Sequence, residues 1–189
     1  MPWTAQRIIR ELERPRADRR PLMRRIQAEV STGVLCSALM LTENKHTRLL
    51  VTTIVARRCD PAAIDTLLGV SDDSDDAVRQ EVAYAIGKIF GYVADPPPEH
   101  ERGRVLSHLL TWWKTETYSG ARSMLAQTLA LIGDRSAYPV LVAAASDDDP
   151  SVRRQAMWLL ARLDSRSVQQ PRVRSDCCDH GRNGRSGDN

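Results

Sequence analysis

The sequence predicts an all-α protein, a right-handed α-solenoid of about four stacked helical hairpins that follow a pair of N-terminal helices. Three observations support this prediction: a repeat that aligns without gaps, an arginine at its third position, and an apolar stripe at helical periodicity. The repeated stretches are residues 46–60, 77–91, 120–134 and 151–165. Their arginines, spaced 31, 43 and 31 residues apart, are Arg48, Arg79, Arg122 and Arg153.

Length and composition are those of a soluble globular protein with an aliphatic core. The chain has 189 residues, of which 42% are hydrophobic, 27% charged and only 5% aromatic, so it is long enough for one domain with a sizeable core. No apolar run is long enough to span a bilayer, and the four cysteines do not form a secreted disulfide framework. We therefore expect a cytoplasmic protein.

Positive charge is concentrated at the N-terminus. The first 25 residues contain eight arginines and three acidic residues, whereas residues 26–163 sum to −3. A polyanion would therefore be attracted mainly to the N-terminus. The candidate residues for such binding are Arg16, Arg19, Arg20, Arg24 and Arg25.

Two short basic helices are predicted before the repeats. Thr4 is placed to N-cap the first helix, which ends before Pro15, and Pro21 opens a second that reaches about Val30. The chain then changes to pairs of helices, A and B, in which B is the repeated stretch. The predicted A helices span about residues 32–41, 61–70, 99–114 and 137–145. The predicted divisions are therefore the basic N-terminal helices, the repeat domain and a disordered tail, at residues 1–30, 31–165 and 166–189.

Each B helix has a predicted core side. With the arginine counted as position 3, positions 2, 6, 9, 10 and 13 share one side of the helix. In the second repeat these positions hold Val78, Val82, Ala85, Ile86 and Ile89. Position 11 is small in every repeat, which allows neighbouring B helices to approach closely, and it holds Ala56, Gly87, Ala130 and Ala161.

The turns before the B helices are rich in aspartate. Carboxylates at these places are expected to accept hydrogen bonds from the N–H groups of the first helical turn. The corresponding residues in the second and fourth repeats are Asp73 and Asp75, and Asp147 and Asp149.

These stretches, among them AVRQEVAYAIGKIFG and SVRRQAMWLLARLDS, resemble HEAT repeats. They are most similar to the short repeats of phycobilin lyase subunits and of deoxyhypusine hydroxylase, over residues 31–165. The resemblance implies an armadillo-type fold. Most proteins that have this fold use it to hold other molecules. In deoxyhypusine hydroxylase, His-Glu pairs at positions 4 and 5 bind two irons, but here only Glu81 matches. The resemblance therefore implies the fold and not that activity.

The B-helix face opposite the core, at positions 1, 4, 5, 8 and 12, is predicted to be a concave binding surface. Tyrosine, tryptophan and arginine on an open surface are the residue types that dominate interface energetics. An alternative is that Tyr84 and Trp158 only cover gaps between B helices. The predicted partner-binding residues are Arg57, Gln80, Glu81, Tyr84, Lys88, Gln127, Arg154, Gln155, Trp158 and Arg162.

Other candidate sites are weaker. Trp112 and Trp113 are similar to a tryptophan pair in DNA-alkylation-repair glycosylases, but Lys114 follows where those enzymes have a carboxylate. Since adjacent helical residues point about 100° apart, one Trp is expected in the core and the other partly exposed. The tail has metal-ligand residue types without the spacing of a zinc site; they are Cys177, Cys178 and His180.

The function expected from the sequence is a non-catalytic adaptor that binds a protein or peptide partner. No nucleophile motif, P-loop or dinucleotide-binding glycine pattern occurs, and no metal, cofactor or membrane association is expected. Two alternatives stay open at this point. One is binding of nucleic-acid backbone phosphates through the arginine-rich N-terminus, and the other is a bilin-lyase-like enzyme subunit.

Overall fold

The computed structural model describes residues 2–15, 17–92, 97–132 and 137–166, with only the backbone of residues 164–166. In these ranges the chain forms α-helices and one short 3-10 turn, and no strand, which confirms the all-α class. The helices are α1 Ala5–Glu13, α2 Arg20–Glu29, α3 Thr32–Leu41, α4 Lys45–Arg58, α5 Ile64–Gly69, α6 Asp76–Tyr92, α7 Glu99–Thr115, α8 Ser119–Ile132, α9 Tyr138–Ala144 and α10 Pro150–Arg166.

The predicted helices all form, and local sequence explains their ends. The Thr4 side chain accepts a hydrogen bond from the Arg7 N–H at 3.2 Å and caps α1. The second A helix differs from the prediction, because its first turn is a 3-10 turn, Pro61–Ala63, and α5 begins only at Ile64. Proline lacks an N–H group, and the Asp60 carboxylate caps this tight first turn by accepting from the Ala62 N–H at 3.0 Å.

The helices stack as a solenoid. Each A helix (α3, α5, α7 and α9) packs on the B helix that follows it, and the B helices contact one another in chain order. The most extensive contacts join α6 to α8 and α4 to α6. Each repeat thus buries its apolar side against its neighbours, as in other helical solenoids.

The two N-terminal helices form a further layer of the stack. Helix α1 packs on α3 and α2 packs on α4. Ile8 and Ile26 are completely buried and Leu12 is 1% exposed. Arg58 at the end of α4 donates hydrogen bonds to the carbonyls of Gln27 and Val30. The first repeat is therefore covered on the side that would otherwise face water.

The core is continuous through most of the chain and divided at its end. One cluster extends from Ala5 to Ala137, and its members in the core stripe of α6 are 0% exposed, as predicted: Val78, Val82, Ala85, Ile86 and Ile89. The last repeat contributes two small separate clusters. Trp113 packs against all three clusters, whereas Trp112 is 7% exposed and belongs to the main one. The expected division of the two tryptophans is thus confirmed.

Small residues allow close contact between B helices. A Cβ atom added to Gly87 of α6 would lie 2.6 Å from Thr128 Oγ1 of α8. That hydroxyl donates a hydrogen bond to the Ala83 carbonyl at 2.8 Å, so a side chain joins the backbones of the two helices. Position 11 of α6 is therefore small because α8 lies directly against it.

Candidate functional site

The repeated arginines join successive repeats through carboxylates. Arg79 makes a two-pronged ion pair with Glu116, with Nε to Oε2 at 2.8 Å and Nη2 to Oε1 at 2.9 Å. Arg48 donates to Asp73 at 3.0 Å, and Arg122 donates to Asp147 at 2.8 Å. In each pair the carboxylate comes from the turn of the following repeat. We call this series the arginine ladder.

Arg48, Arg79 and Arg153 also fix the turn of their own repeat to its B helix. Arg79 Nη1 donates to the Asp73 carbonyl at 2.8 Å, and Arg48 Nη1 donates to the Glu43 carbonyl at 2.7 Å. Asp73 thus accepts from one arginine through its side chain and from the next through its backbone. The aspartate two residues later caps the helix, since Asp75 accepts from the Ala77 and Val78 N–H groups. The sequence assigned capping to both aspartates, but the first of each pair mainly holds the ladder.

Glu116 is the most buried ladder carboxylate, with its side chain 1% exposed. Burial alone would raise its pKa. Hydrogen bonds from Arg79, the Tyr118 N–H and the Trp112 indole outweigh this effect and lower the pKa of Glu116 to about 2. The same contacts favour the protonated form of Arg79, whose pKa is raised. The pair is therefore ionised in the folded protein at all physiological pH values.

A cavity of about 610 Å³ lies beside this ion pair, between the end of α5 and the end of α7. Ser71 and His108 face each other there, with the hydroxyl 2.7 Å from Nε2. The Ser71 hydroxyl also donates to the Leu68 carbonyl at 2.8 Å. Because its proton is directed at that carbonyl, the imidazole donates to the hydroxyl and does not act as its base. The cavity walls are thus fixed by a structural hydrogen-bond chain, which the sequence did not reveal.

On the B-helix face of α6, Tyr84 is 38% exposed. Lys88, one turn later, is only 9% exposed, and its ammonium lies 6.0 Å from the Tyr84 ring and 3.9 Å from the Tyr92 ring. Lys88 was predicted as a partner contact, and the structure places it between two tyrosines with little surface of its own. Its cation–π contacts hold the two rings in place.

The corresponding face of α10 is more open. Trp158 is 51% exposed, and the Arg162 guanidinium lies 4.6 Å from the centre of its ring. Arg154 is exposed and Gln155 is half-buried. Position 8 therefore carries an aromatic ring with a cation against it on both α6 and α10. On α8 the same position holds Gln127, which is half-buried.

Glu81 lies where α6 meets α4. Burial raises the pKa of its carboxyl, although a hydrogen bond with the Thr53 side chain and the charge of Arg57 act in the opposite direction. Arg57 itself is exposed. The structure thus brings Glu81 and Arg57 together on one face, whereas Gln80 points to the other side and lies against Gly120 at the start of α8.

Three of the five arginines in the predicted polyanion set already make contacts within the N-terminal segment. Arg20 pairs with Asp18 at 3.0 Å, Arg25 pairs with Glu29 at 3.0 Å, and Arg19 donates to the Leu12 carbonyl at 3.2 Å. The remaining members of the predicted polyanion set are Arg24, which is exposed, and Arg16, which lies outside the described residues.

The repeats that the ladder joins resemble a known repeat family. Residues 106–174 match the family model for HEAT repeats. The chain is similar to HEAT-repeat proteins. This match confirms the resemblance drawn from the consensus, and HEAT repeats are commonly protein-interaction scaffolds. No curated protein sequence matches the chain.

In the ranges that the structure covers, no three His, Cys, Asp or Glu side chains are grouped so as to hold a metal ion. Among the helices described above, none combines the length and apolarity needed to cross a membrane. The tail residues Cys177, Cys178 and His180, and the predicted disordered tail itself, lie outside the described residues.

Proposed function

We propose that the chain is a non-catalytic HEAT-repeat adaptor that binds a protein or peptide partner on the concave face of its B helices. One observation carries this proposal. At position 8 of two B helices an aromatic side chain is exposed, Tyr84 by 38% and Trp158 by 51%, and each has a cation against its ring. Exposed aromatic rings held in a fixed orientation are well suited to bury area on a partner.

The chemistry of this face indicates the kind of partner it would bind. A Tyr or Trp ring loses few rotamers on binding and covers a large apolar area. Arg57, Arg154 and Arg162 are exposed cations at the neighbouring positions. A peptide with apolar side chains opposite the rings and carboxylates opposite the arginines would therefore be complementary. Gln127 and Gln155, both half-buried, supply amide groups for its backbone.

The test compares partner capture with stability. The natural chain and the double variant Tyr84→Ala, Trp158→Ala are used as baits in the source cells, and proteins retained by each are quantified. The matched control is Tyr118→Ala, which removes a ring that is also 38% exposed but lies before α8. We expect the double variant to lose a specific protein that the natural chain and the control retain, at an unchanged melting temperature.

Three outcomes would contradict the proposal. If the double variant retains the same proteins as the natural chain, the aromatic positions are not the binding face. If its melting temperature falls by ten degrees or more, as expected for core truncation, Tyr84 and Trp158 only close gaps between helices. An enzymatic turnover that survives both substitutions would equally show that the chain is not an adaptor.

A further inference from the structure

The first repeat is built as the end of a stack. Six residues before each ladder arginine lies the position whose carboxylate accepts from the preceding repeat, as Asp73, Glu116 and Asp147 do. In the first repeat this position holds Thr42, which has no carboxylate. Helices α1 and α2 cover that side of the repeat. No ladder arginine precedes this repeat, and Thr42 could not accept from one as a carboxylate does.

The last repeat keeps the features of an internal one. Arg153 holds its own turn, because Nη1 donates to the carbonyls of Asp147 and Asp148 at 2.7 and 2.9 Å. The three earlier ladder arginines each pair with a carboxylate of the following repeat. Within the described part of the chain, Arg153 pairs with no carboxylate. Among the residues that the structure describes, the ladder therefore reaches its end with a cation that has no acidic partner.

No described residue covers the side of α10 that lies beyond the stack. Position 7 of the earlier B helices lies beneath the next repeat, and Thr52, Ala83 and Ala126 are each 0% exposed. The same position of α10 is Met157, which is 62% exposed. Position 11 of α10, Ala161, is exposed as well, although its counterparts in the earlier repeats are buried.

Helix α9 shows the same difference. Arg153 of the last repeat corresponds to Arg79 of the second repeat. At the same separation along the chain, Tyr138 and Val142 correspond to Ile64 and Leu68 of α5. Ile64 and Leu68 are 3% and 8% exposed, whereas Tyr138 and Val142 are 46% and 47% exposed. Both helices of the last repeat thus present apolar side chains where the earlier repeats have a neighbour.

We propose that this end face, made of Tyr138, Val142, Arg153, Met157 and Ala161, docks a helical hairpin of a different protein that continues the stack. The partner hairpin places apolar side chains against α9 and α10 and a carboxylate against Arg153, as a following repeat would. This surface shares no residue with the concave face and its occupation does not depend on the adaptor function proposed above.

A second copy of the chain fits this face poorly. In a head-to-tail arrangement the copy would present helices α1 and α2, whose five arginines outnumber their three glutamates and therefore offer Arg153 no net negative surface. In a tail-to-tail arrangement Arg153 would meet its own counterpart, and like charges repel. Charge complementarity therefore favours an acidic partner over a second copy.

The chain's own residues 167–189 are also a poor match in composition. They contain four apolar residues, interrupted by Pro171, and more arginines than aspartates. Most residues of this segment, where the A helix of a following repeat would be expected, are polar. A partner hairpin with a continuous apolar side supplies what this segment lacks.

The test supplies such a hairpin in the full chain. A second copy of residues 136–166 is inserted directly after residue 166 and followed by residues 167–189. The added counterpart of Asp147 then lies 25 residues after Arg153, the separation that joins Arg48 to Asp73 and Arg122 to Asp147. The tether keeps the hairpin at an effective concentration in the millimolar range, about 1 mM or more. In both versions the added copy carries Met157→Leu, so that only the original Met157 is read, and the matched control also carries Asp147→Asn in the added copy.

The readout is the oxidation of methionines by peroxide, followed by mass spectrometry. Met40, at 60% exposed, is the internal reference for an open side chain, and Met23, at 8%, is the reference for a buried one. In the natural chain we expect Met157 to oxidise as fast as Met40. In the extended chain we expect it to oxidise about tenfold more slowly, with a higher melting temperature, and the Asn control to lose at least half of that protection.

Four results would overturn the proposal. Oxidation of Met157 at the rate of Met40 in the extended chain shows that the face accepts no hairpin. Equal protection by the Asp and Asn copies shows that Arg153 recruits no carboxylate. Slow oxidation of Met157 in a monomeric natural chain shows that residues 167–189 cover the face. A dimer of the natural chain that Met157→Glu dissociates in sedimentation shows that the occupant is a second copy.

Discussion

Arg79 and Glu116 form a two-pronged ion pair that joins residues 37 positions apart, with nitrogen–oxygen distances of 2.8 and 2.9 Å. The pair bridges the second and third repeats across the 43-residue spacing, where an insertion separates them. The Trp112 indole and two backbone N–H groups complete the coordination of the carboxylate. The longest interval in the repeat pattern is thus connected by the most fully satisfied contact of the arginine ladder.

Replacing Arg79 by Gln should destabilise the fold strongly. The substitution leaves the Glu116 carboxylate, 1% exposed, without its cation, and breaking a buried pair in this way lowers the free energy of unfolding by about 3–5 kcal/mol. Urea unfolding followed by circular dichroism measures the loss. The matched control is Asp65→Asn, which removes an exposed partner of Arg104 and should change stability by less than about 1 kcal/mol. Equal losses in the two variants would contradict the structural role of the ladder.

Acid should weaken the ladder through Glu116. The folded pKa of about 2 is lower than the ordinary value of 4.5, so the contribution of this carboxylate is fully present above pH 4.5 and is lost as the pH falls towards 2. A shift of this size corresponds to roughly 3 kcal/mol. Since other carboxylates titrate in the same range, the natural chain is compared with Glu116→Gln at each pH. Their difference in unfolding free energy should be largest near pH 6 and should disappear near pH 2; a difference independent of pH would contradict this.

Gly87→Ala should destabilise the protein although alanine favours helices. An added methyl group would lie 2.6 Å from Thr128 Oγ1, which must then give up its bond to the Ala83 carbonyl. Overpacking of this kind lowers stability by about 1–3 kcal/mol. Gly103→Ala in α7 is the control, because nothing lies within 4 Å of its added methyl, and it should raise stability by about 1 kcal/mol. Thermal unfolding of both variants, with opposite signs expected, decides between close packing and intrinsic helix preference.

The N-terminal arginines should bind polyanions weakly. Asp18 and Glu29 neutralise two of them, and Arg19 is directed at a backbone carbonyl. We expect the chain to elute from heparin at low salt, with no change on Arg24→Gln. Retention at high salt would instead favour the nucleic-acid alternative, if neutralising Arg19, Arg20, Arg24 and Arg25 together abolishes that retention. The four are changed together because each phosphate contact adds to the salt dependence of binding.

The fold could be predicted because its determinants are local. The periodicity of Val78, Val82 and Ile89 identifies a buried helix side without knowledge of any partner, and all three are completely buried. The start of α1 follows from the capping Thr4, and the start of α3 follows from the change of sequence pattern after Val30. The recurrence of these local features along the chain was sufficient to indicate a solenoid.

The contacts between repeats could not be predicted in the same way. The spacing of the arginines was visible in the sequence, but their role depends on which turn lies beside which helix. Glu116 replaces the aspartate of the other repeats, and Lys88 is buried because Tyr92 extends over it. Ser71 and His108 meet across 37 residues. Each of these contacts depends on the stacking distance between helices, which a helical wheel does not contain.

The division of the apolar core determines which part of the molecule unfolds first. The large cluster holds α1 to α8 together, whereas α10 is attached through two small clusters and the Trp113 ring, and α9 adds only Val140 to its contacts with the large cluster. Spontaneous opening should therefore begin at α10, and its backbone amides should exchange with deuterium earlier than those of α6. A chain pulled from both ends would release this repeat first. The surface at which the stack ends is consequently also its most easily reshaped part.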